Sequence, residues 1–330
     1  MSTPVETMNA VVVEGGKGAA GALRLSRIAR PSLSAGEILI RVRAAGVNRS
    51  DILQREGLYV PPPGTPTTLG LEVAGEVFEV GASVTRWRVG DTVAALLGGG
   101  GYAEYAAVDA RHVLPIPAGM DFPPAAGLPE TVITVFANVF ESGRLEAGQT
   151  LLVHGATSGV GATAIAMAKW SGAKVIATAR GAAKAASALA LGADRAVDST
   201  AEDFVEVAKA EGGADVVLDM VGAGYAQRDI ETLKPGGRLV MIATQAGPLA
   251  ELDLLTIMLK RLTVTGSTLR SRPGDEKARL TAAVEAKVWP WIQAGLVASV
   301  IDCTFPLAEA AAAHKRMELG AHVGKLILTP

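Results

Sequence analysis

The chain has 330 residues, of which 49% are hydrophobic and 19% charged, so it can form about two folded domains and is neither disordered nor fibrous. Its 31 basic and 33 acidic residues leave a net charge of −2, which gives no surplus of positive charge for a phosphate backbone or an anionic membrane. The single cysteine, Cys303, excludes an internal disulfide and a zinc site made of several thiolates. It fits a reducing, cytoplasmic compartment.

The first third of the chain is rich in short strand-like segments. Residues 1–7 are polar and include Glu6, so we expect no secretory signal there. From about Met8 to Leu114, apolar segments alternate with turns rich in glycine and proline. The predicted strands include residues 10–13, 37–42, 75–80 and 92–96. This spacing is typical of a small β-rich domain.

From about Ala125 the pattern changes to apolar strand, glycine turn and alanine-rich helix. The predicted strands are residues 151–154, 174–178, 216–219 and 238–242, and the predicted helices are residues 160–170, 182–191 and 226–233. Because each parallel connection must return across a face of the sheet, this alternation predicts an α/β domain with a doubly wound parallel sheet. A helix at 307–319 and a strand at 325–328 follow, and we expect that strand to join the first domain.

The strongest chemical signal is the turn between the first of these strands and its helix. Residues 151–161 run Leu-Leu-Val-His-Gly-Ala-Thr-Ser-Gly-Val-Gly. Of the fingerprint Gly-x-Gly-x-x-Gly only Gly161 is in register, with Ala156 and Ser158 at the other two positions, but the strand before and the helix after strengthen the match. The backbone N–H groups and the positive helix end suit a pyrophosphate. The alternative is a glycine-rich turn that binds nothing.

The end of the second strand indicates which dinucleotide is bound. An acidic residue there would favour NAD, because it accepts hydrogen bonds from the ribose hydroxyls. Instead, Ala179, Arg180 and Gly181 follow the strand, and Lys184 comes soon after. Two cations and no acid favour the 2′-phosphate of NADPH. The alternative is that Arg180 and Lys184 form a solvated helix start.

Several short motifs occur together over nearly the whole chain. They are Gly-Val-Asn-Arg-Ser-Asp at 46–51, Gly-Leu-Tyr-Val-Pro-Pro-Pro-Gly at 57–64, Gly-Leu-Glu-Val-Ala-Gly at 70–75, Val-Gly-Asp at 89–91, Ser-Gly-Val-Gly at 158–161, and the ending at 311–328. Their order resembles the medium-chain dehydrogenase/reductase superfamily, and within it the zinc-free quinone oxidoreductases related to zeta-crystallin. The resemblance implies a GroES-like catalytic domain at residues 1–127, a Rossmann domain at 128–267, and a return of 268–330 to the catalytic domain, with the substrate cleft between the two.

The motifs also depart from those of the family's zinc alcohol dehydrogenases. Those enzymes have a cysteine where this chain has Asn48 and a histidine where it has Leu71. Neither residue supplies such a ligand, so we expect no catalytic zinc. Without a Lewis acid, oxidation of a simple alcohol loses its main source of transition-state stabilisation. A quinone or an enone is then the better hydride acceptor, because conjugation stabilises the oxyanion that forms.

The resemblance implies two catalytic residues. Tyr59 matches a tyrosine in the family's substrate cleft, where its phenol could orient the acceptor or donate a proton; the alternative is a tyrosine that packs a surface loop. Asn48 could hydrogen-bond the acceptor carbonyl or the nicotinamide ribose, or it could be a turn asparagine with a structural role. Asp51 and Glu72 are expected to be scaffold.

The remaining cofactor contacts are also implied by the resemblance. Thr134, Thr268 and Leu269 would lie near the nicotinamide, and Lys325 near the phosphates. Ser199 stands where many relatives have a tyrosine beside the adenosine phosphate, which puts that contact in doubt. The other predicted cofactor residues are Ser158, Gly159, Val160, Gly161, Thr178, Arg180, Lys184, Val221, Ala243 and Thr244.

The sequence therefore predicts an NADPH:quinone reductase that acts on a small-molecule quinone or enone. One alternative is a reductase of α,β-unsaturated carbonyls or enoyl thioesters, with Tyr59 as proton donor. A second is an NADPH-regulated RNA-binding or structural protein, although the near-neutral charge speaks against nucleic acid. Residues 262–266 are β-prone, and we expect this segment to join edge strands in a homodimer or homotetramer.

Overall fold

The computed structural model describes residues 6–330, and these form two compact units. Unit 1 consists of the described residues up to Glu130 together with Arg270–Lys287 and Ser299–Pro330. Unit 2 consists of Thr131–Leu269 and Val288–Ala298. The expected return of 268–330 to the first domain is thus interrupted at Val288–Ala298, where buried apolar side chains such as Trp289 and Ile292 group with unit 2.

The strands, in chain order, are β1 (Thr7–Val13), β2 (Leu23–Ala29), β3 (Glu37–Val47), β4 (Glu72–Val80), β5 (Thr92–Leu96), β6 (Tyr105–Asp109), β7 (Val113–Pro115), β8 (Thr150–Val153), β9 (Lys174–Ala179), β10 (Arg195–Asp198), β11 (Ala214–Asp219), β12 (Leu233–Met241), β13 (Thr263–Gly266), β14 (Ile301–Pro306) and β15 (Lys325–Thr329). The α-helices are α1 (Arg49–Arg55), α2 (Phe122–Ala126), α3 (Pro129–Val135), α4 (Gly159–Trp170), α5 (Ala182–Ala190), α6 (Phe204–Ala210), α7 (Ala226–Thr232), α8 (Leu254–Lys260), α9 (Gly274–Lys287), α10 (Trp289–Gln293) and α11 (Ala310–Leu319). A π-helical segment, Phe136–Ser142, continues α3.

Unit 1 is the expected β-rich domain. Its larger sheet has the strand order β14-β15-β3-β4-β5-β7, with β6 also on β3, and β1 and β2 form a separate antiparallel pair. The long central strand β3 is apolar at alternate positions such as Ile38, Ile40 and Val42, which lie in the core, as period-2 patterning requires. The prediction that the last strand joins the first domain is confirmed, because β15 pairs antiparallel with the end of β3.

Unit 2 is the expected doubly wound sheet. Its strands are parallel in the order β10-β9-β8-β11-β12-β13. The chain moves outward from β8 through β9 to β10 and then returns to β11, so the strand order reverses between β8 and β11. Ligands of open α/β sheets bind outside the carboxyl ends of the strands at such a reversal. The fold therefore places the glycine-rich turn after β8 at the expected position for a ligand.

None of the helices within residues 6–330 combines the length and the apolarity that a membrane span needs.

Candidate active site

The glycine-rich turn links the end of β8 to the start of α4. Ser158 is the N-cap of α4, and its Oγ accepts a hydrogen bond from the Gly161 N–H at 3.0 Å. A Cβ on Gly161 would lie 2.3 Å from the carbonyl oxygen of Gly155, so only glycine fits this turn. The N–H groups of Gly159 and Val160 belong to the first helical turn and have no acceptor within the helix. Together with the positive end of α4, they suit an anionic group such as a pyrophosphate.

The predicted residues at the carboxyl ends of β9, β11 and β12 lie at the same sheet edge. The turn after β11 is shaped by Asp219, whose carboxylate accepts hydrogen bonds from the Val221 and Gly222 N–H groups. Ala243 and Thr244 follow the end of β12. Thr178 instead faces the interior, where its Oγ1 is 2.8 Å from His154 Nδ1. Its side chain thus holds the turn in place.

His154 is fully buried. Its Nε2 lies 2.7 Å from Asp229 Oδ1, and its ring stacks on Tyr225 with centroids 4.9 Å apart. Burial lowers the pKa of His154, but the charge and hydrogen bond of Asp229 outweigh it and leave the pKa raised. This pair joins β8 to α7 inside unit 2.

A carboxylate that sequence reasoning missed lies beside the end of β9. Arg180 is exposed beside the turn to α5, and Ser199 donates through Oγ to the Ala179 carbonyl at 3.2 Å. Asp198, at the end of the neighbouring β10, accepts a hydrogen bond from the Gly181 N–H at 2.8 Å. Hydrogen bonds from Thr200 and Gly181 lower the pKa of Asp198, which is therefore charged. Its pairing was not visible in the sequence because it depends on β10 lying beside β9.

The residues predicted to lie near the nicotinamide come together through Asn138. The Thr134 carbonyl accepts a hydrogen bond from Asn138 Nδ2 at 2.8 Å, and Asn138 Oδ1 accepts one from Ser267 Oγ at 2.7 Å. Ser267 precedes Thr268 and the buried Leu269. The π-helical segment therefore ties α3 to the chain that leaves β13.

In unit 1, Lys325 makes contacts that the sequence did not predict. Its buried ammonium donates to Glu72 Oε1 at 2.5 Å, to Asn48 Oδ1 at 2.7 Å and to the Val47 carbonyl at 3.0 Å. These contacts occupy all three N–H donors, and the predicted contact of Lys325 with the phosphates stays a prediction. A Cβ on Gly46 would lie 2.2 Å from Glu72 Oε1, so glycine is required where β3 passes this carboxylate.

The same network includes Asn48. Its Oδ1 accepts from Lys325, its Nδ2 donates to Glu72 Oε1 at 3.0 Å, and its backbone N–H donates to Asp51 Oδ2 at 2.8 Å. The amide is committed to these partners. Asn48 thus holds the start of α1 in place, and its contact with the acceptor carbonyl or the nicotinamide ribose stays a prediction.

Asp51 is scaffold, as expected. It accepts hydrogen bonds from the N–H groups of Asn48 and Gly70 and from the Tyr102 hydroxyl at 3.1 Å. Tyr102 also contacts His314 Nε2 at 3.1 Å, and Arg55 contacts the other ring nitrogen. Burial, with Arg55 adding to it, lowers the pKa of His314 to about 3. His314 is therefore neutral, and the chain of contacts fixes α1 to α11.

Tyr59 lies on a polar wall of unit 1 whose other members sequence reasoning missed. The Arg270 guanidinium is 5.5 Å from the centroid of the Tyr59 ring, within cation–π range. Arg270 is buried and donates to Gln54 Oε1 at 2.7 Å and to the Gly98 carbonyl at 2.8 Å. Its Nη2 has no hydrogen-bond partner among the described residues. The signal that could have found Arg270 is its position directly after the predicted Thr268 and Leu269.

Comparisons with known proteins agree with this arrangement. Residues 34–118 match the family model for the alcohol dehydrogenase GroES-like domain, and residues 159–286 match that for zinc-binding dehydrogenases. The chain is 31% identical over 310 residues to a quinone oxidoreductase of Mus musculus, covering 92% of each chain. It is 30% identical over 318 residues to the synaptic vesicle membrane protein VAT-1 homolog of Danio rerio, which covers 91% of this chain but only 65% of that protein.

Two solved structures have the same fold over 98% of this chain. The Escherichia coli quinone oxidoreductase complexed with NADPH superposes with a TM-score of 0.86 at 28% identity, and all of that chain is covered. The CurK enoyl reductase superposes with a TM-score of 0.86 at 26% identity, with 99% of that chain covered.

A β-rich unit joined to a doubly wound sheet, with a glycine-rich turn at the strand reversal, defines a class of dinucleotide-dependent oxidoreductases. Together with the similarity to the mouse enzyme along 92% of the chain, this shows that the chain belongs to the medium-chain dehydrogenase/reductase family. It is an oxidoreductase whose relatives include quinone oxidoreductases.

The zinc that one of these family descriptions implies does not fit the residues present. Asn48 presents an amide and Leu71 a buried aliphatic side chain, and the Lys325 ammonium already occupies the space between Asn48 and Glu72. Within residues 6–330, no group of three or more His, Cys, Asp or Glu side chains is arranged to hold a metal ion. Amide, alkyl and ammonium groups do not supply the nitrogen, sulfur and carboxylate ligands that zinc takes.

Replacing Lys325 tests the network at Asn48. Lys325→Met leaves the buried Glu72 carboxylate without its cation, and we expect a loss of about 3–5 kcal/mol in the free energy of unfolding, measured by urea denaturation. The double variant Glu72→Gln/Lys325→Met removes both charges and should recover part of that loss. The control is Lys234→Met, whose partner Asp215 lies in a more exposed pair and whose loss should be at most about 1 kcal/mol. Equal losses for the two lysines would contradict the assignment.

Proposed function

We propose that the protein is an NADPH-dependent quinone reductase that works without a metal. The observation that carries the proposal is the Asn48–Lys325–Glu72 network. Because this set of side chains does not bind zinc, the site has no Lewis acid to stabilise an oxyanion. The acceptor must therefore be one that is easily reduced. The quinone oxidoreductases among the relatives, and the E. coli structure whose description names NADPH, support this substrate class and cofactor.

Unit 2 would hold the dinucleotide. The first turn of α4, with Ser158, Gly159, Val160 and Gly161, would bind the pyrophosphate. Arg180 and Lys184 would bind the 2′-phosphate, and Ser199 would line the same edge of the sheet. The nearby Asp198 carboxylate has the same sign of charge as the phosphate and would oppose its binding. Val221, Ala243 and Thr244 would line the adenosine and ribose, and Thr134, Thr268 and Leu269 the nicotinamide. When bound, the reduced nicotinamide supplies a hydride to the acceptor.

Unit 1 would receive the acceptor at Tyr59. The phenol can donate a hydrogen bond to the acceptor oxygen, and the Arg270 guanidinium beside the ring favours negative charge developing there. Asn48 acts indirectly, because it holds the start of α1 in place.

A second candidate is a reductase of α,β-unsaturated carbonyls. The likeness to the CurK enoyl reductase supports it, and hydride addition to an enone also creates an oxyanion that Tyr59 could meet. Comparing turnover of 1,2-naphthoquinone with that of a crotonyl thioester separates the two, since a chain that reduces only the thioester is not a quinone reductase.

The choice of cofactor is tested at Lys184. Lys184→Ala removes a charge-assisted contact to the 2′-phosphate, so we expect the Kd for NADPH to rise about tenfold to a hundredfold, with little change for NADH, measured by calorimetry. Lys174→Ala, at the start of β9 and so at the opposite sheet edge, is the control and should change neither Kd. A wild type that binds NADH as tightly as NADPH would overturn the proposal for the cofactor.

The role of Tyr59 is tested by Tyr59→Phe, which keeps the ring and removes the hydroxyl. Loss of one hydrogen bond to the acceptor should lower kcat/KM for the quinone about tenfold. Tyr105→Phe, in β6, keeps the ring that packs on Phe78 and is the control, with no expected change. Unchanged turnover in Tyr59→Phe would remove the hydroxyl from the reaction.

We also propose that two copies associate through β13 and α8. Within residues 6–330, β13 is the edge strand of its sheet and pairs only with β12. The neighbouring α8 exposes Leu254, Leu255, Met258 and Leu259, each 61–71% accessible. An open strand edge beside a cluster of exposed apolar side chains is typical of a symmetric subunit interface.

The double variant Met258→Glu/Leu259→Glu tests this interface. It places charges in the apolar cluster, so we expect the wild type to sediment as a dimer or tetramer and the variant as a monomer in analytical ultracentrifugation. Leu189→Glu, on α5 and also exposed, is the control and should assemble like the wild type. A monomeric wild type would contradict the proposal.

A further inference from the structure

In unit 2, the strand beside β9 places a carboxylate where the local sequence has none. Asp198 is the last residue of β10, and its Cα lies opposite that of Ala179, the last residue of β9, in the parallel register. Asp198 Oδ1 accepts the Gly181 N–H at 2.8 Å. The carboxylate therefore lies across the end of β9, against the residue that follows Arg180. Sheets that bind NAD have their ribose-binding acid at the end of this second strand.

One oxygen of the carboxylate fixes it in place. Oδ1 also accepts the Thr200 N–H at 2.9 Å and the Thr200 hydroxyl at 2.7 Å. The hydrogen bonds that the carboxylate accepts within residues 6–330 all end on Oδ1, and Asp198 is partly exposed. The Thr200 bonds above all, and then that of Gly181, lower its pKa and keep it charged. Oδ2 thus retains its capacity to accept a hydrogen bond from a ligand.

Space for a ligand lies beside the same turn. Gly181 has a φ of +90°, and a Cβ built on it would meet no atom within 4 Å. The bond to Asp198 holds this left-handed conformation, which favours glycine, and the open space next to it has room for the adenosine ribose. Arg180 is exposed at this turn, and Lys184 lies in the first turn of α5.

The charges at this turn act in opposite directions on the two dinucleotides. NADH has a 2′-hydroxyl, which donates a hydrogen bond to a carboxylate. NADPH has a 2′-phosphate at the same position, which Arg180 and Lys184 attract and Asp198 repels. The carboxylate alone would select NADH, and the two cations alone would select NADPH.

We propose that Asp198 is a specificity-determining residue that limits the preference for NADPH. Its Oδ1 holds the turn at Gly181, while its Oδ2 accepts a hydrogen bond from the 2′-hydroxyl of NADH and repels the 2′-phosphate of NADPH. The inference rests on the proposed NADPH-dependent activity. NADPH remains the tighter ligand, because two cations face one carboxylate, and NADH remains usable.

The experiment measures the Kd for NADPH and for NADH by calorimetry in Asp198→Asn and the wild type. Asparagine keeps an oxygen for Gly181 and Thr200 but removes the charge, so we expect the Kd for NADPH to fall about fivefold to tenfold and that for NADH to rise about threefold. Asp194→Asn is the control. Asp194 precedes β10 at the opposite sheet edge and likewise accepts a backbone N–H, that of Val175, at 2.7 Å. It should change neither Kd.

Salt separates the effect of charge from an effect on the turn. Between about 0.1 M and about 0.5 M salt, the gain of Asp198→Asn for NADPH should shrink, because the repulsion that it removes is screened. The loss for NADH comes from a hydrogen bond and should persist. Asp198→Ala also removes the acceptor for Gly181, so it should gain less for NADPH and lose more for NADH than Asp198→Asn does. Equal Kd values for the two variants would refute the role of Oδ1 in the turn.

The outcomes distinguish this role from the proposed function. A Kd for NADPH that stays the same or rises in Asp198→Asn overturns the role of Asp198 and leaves the quinone reductase intact. A wild type that binds neither dinucleotide refutes the proposed function, and the role of Asp198 with it.

Discussion

The part of unit 1 around Asn48 depends on one buried charge, the carboxylate of Glu72. It receives the Lys325 ammonium, the Asn48 amide and the Glu130 backbone N–H, and so it joins β4, β15, the end of β3 and the start of α3 at one point. Burying an ion is costly unless nearly all of its hydrogen-bonding capacity is used. Glu72 meets that condition, and it needs Gly46 to do so, because any side chain there would collide with its Oε1.

The Glu72 carboxylate also affects the acidity of a neighbouring side chain. Burial raises the pKa of the Glu130 side chain, and repulsion by the Glu72 carboxylate, which accepts from the Glu130 backbone N–H, raises it further. Lys325 limits the effect from the other side.

The features that follow from local patterns were predictable from the sequence. Alternating residues such as Ile38 and Ile40 indicated the β-rich unit, and the glycine turn ending at Gly161 indicated the strand-to-helix junction. Three features depend on residues far apart in sequence and were not predictable. They are the capture of Lys325 by Glu72, the position of Asp198 beside Gly181, and the grouping of Val288–Ala298 with unit 2. Arg270 was overlooked because it is a single charged residue beside an apolar segment, a pattern that usually denotes a solvated surface.

The position of β15 has a consequence for how the chain matures on the ribosome. The larger sheet of unit 1 takes this strand from far along the chain and inserts it between β14 and β3, and Lys325 bonds to a partner 278 positions earlier. Contacts of such long range form late, because the intervening chain must first lose much of its freedom. Unit 2 is nearly continuous in sequence and can fold during translation. Unit 1 must remain incomplete, with an open strand edge exposed to other nascent proteins, until β15 has emerged from the exit tunnel.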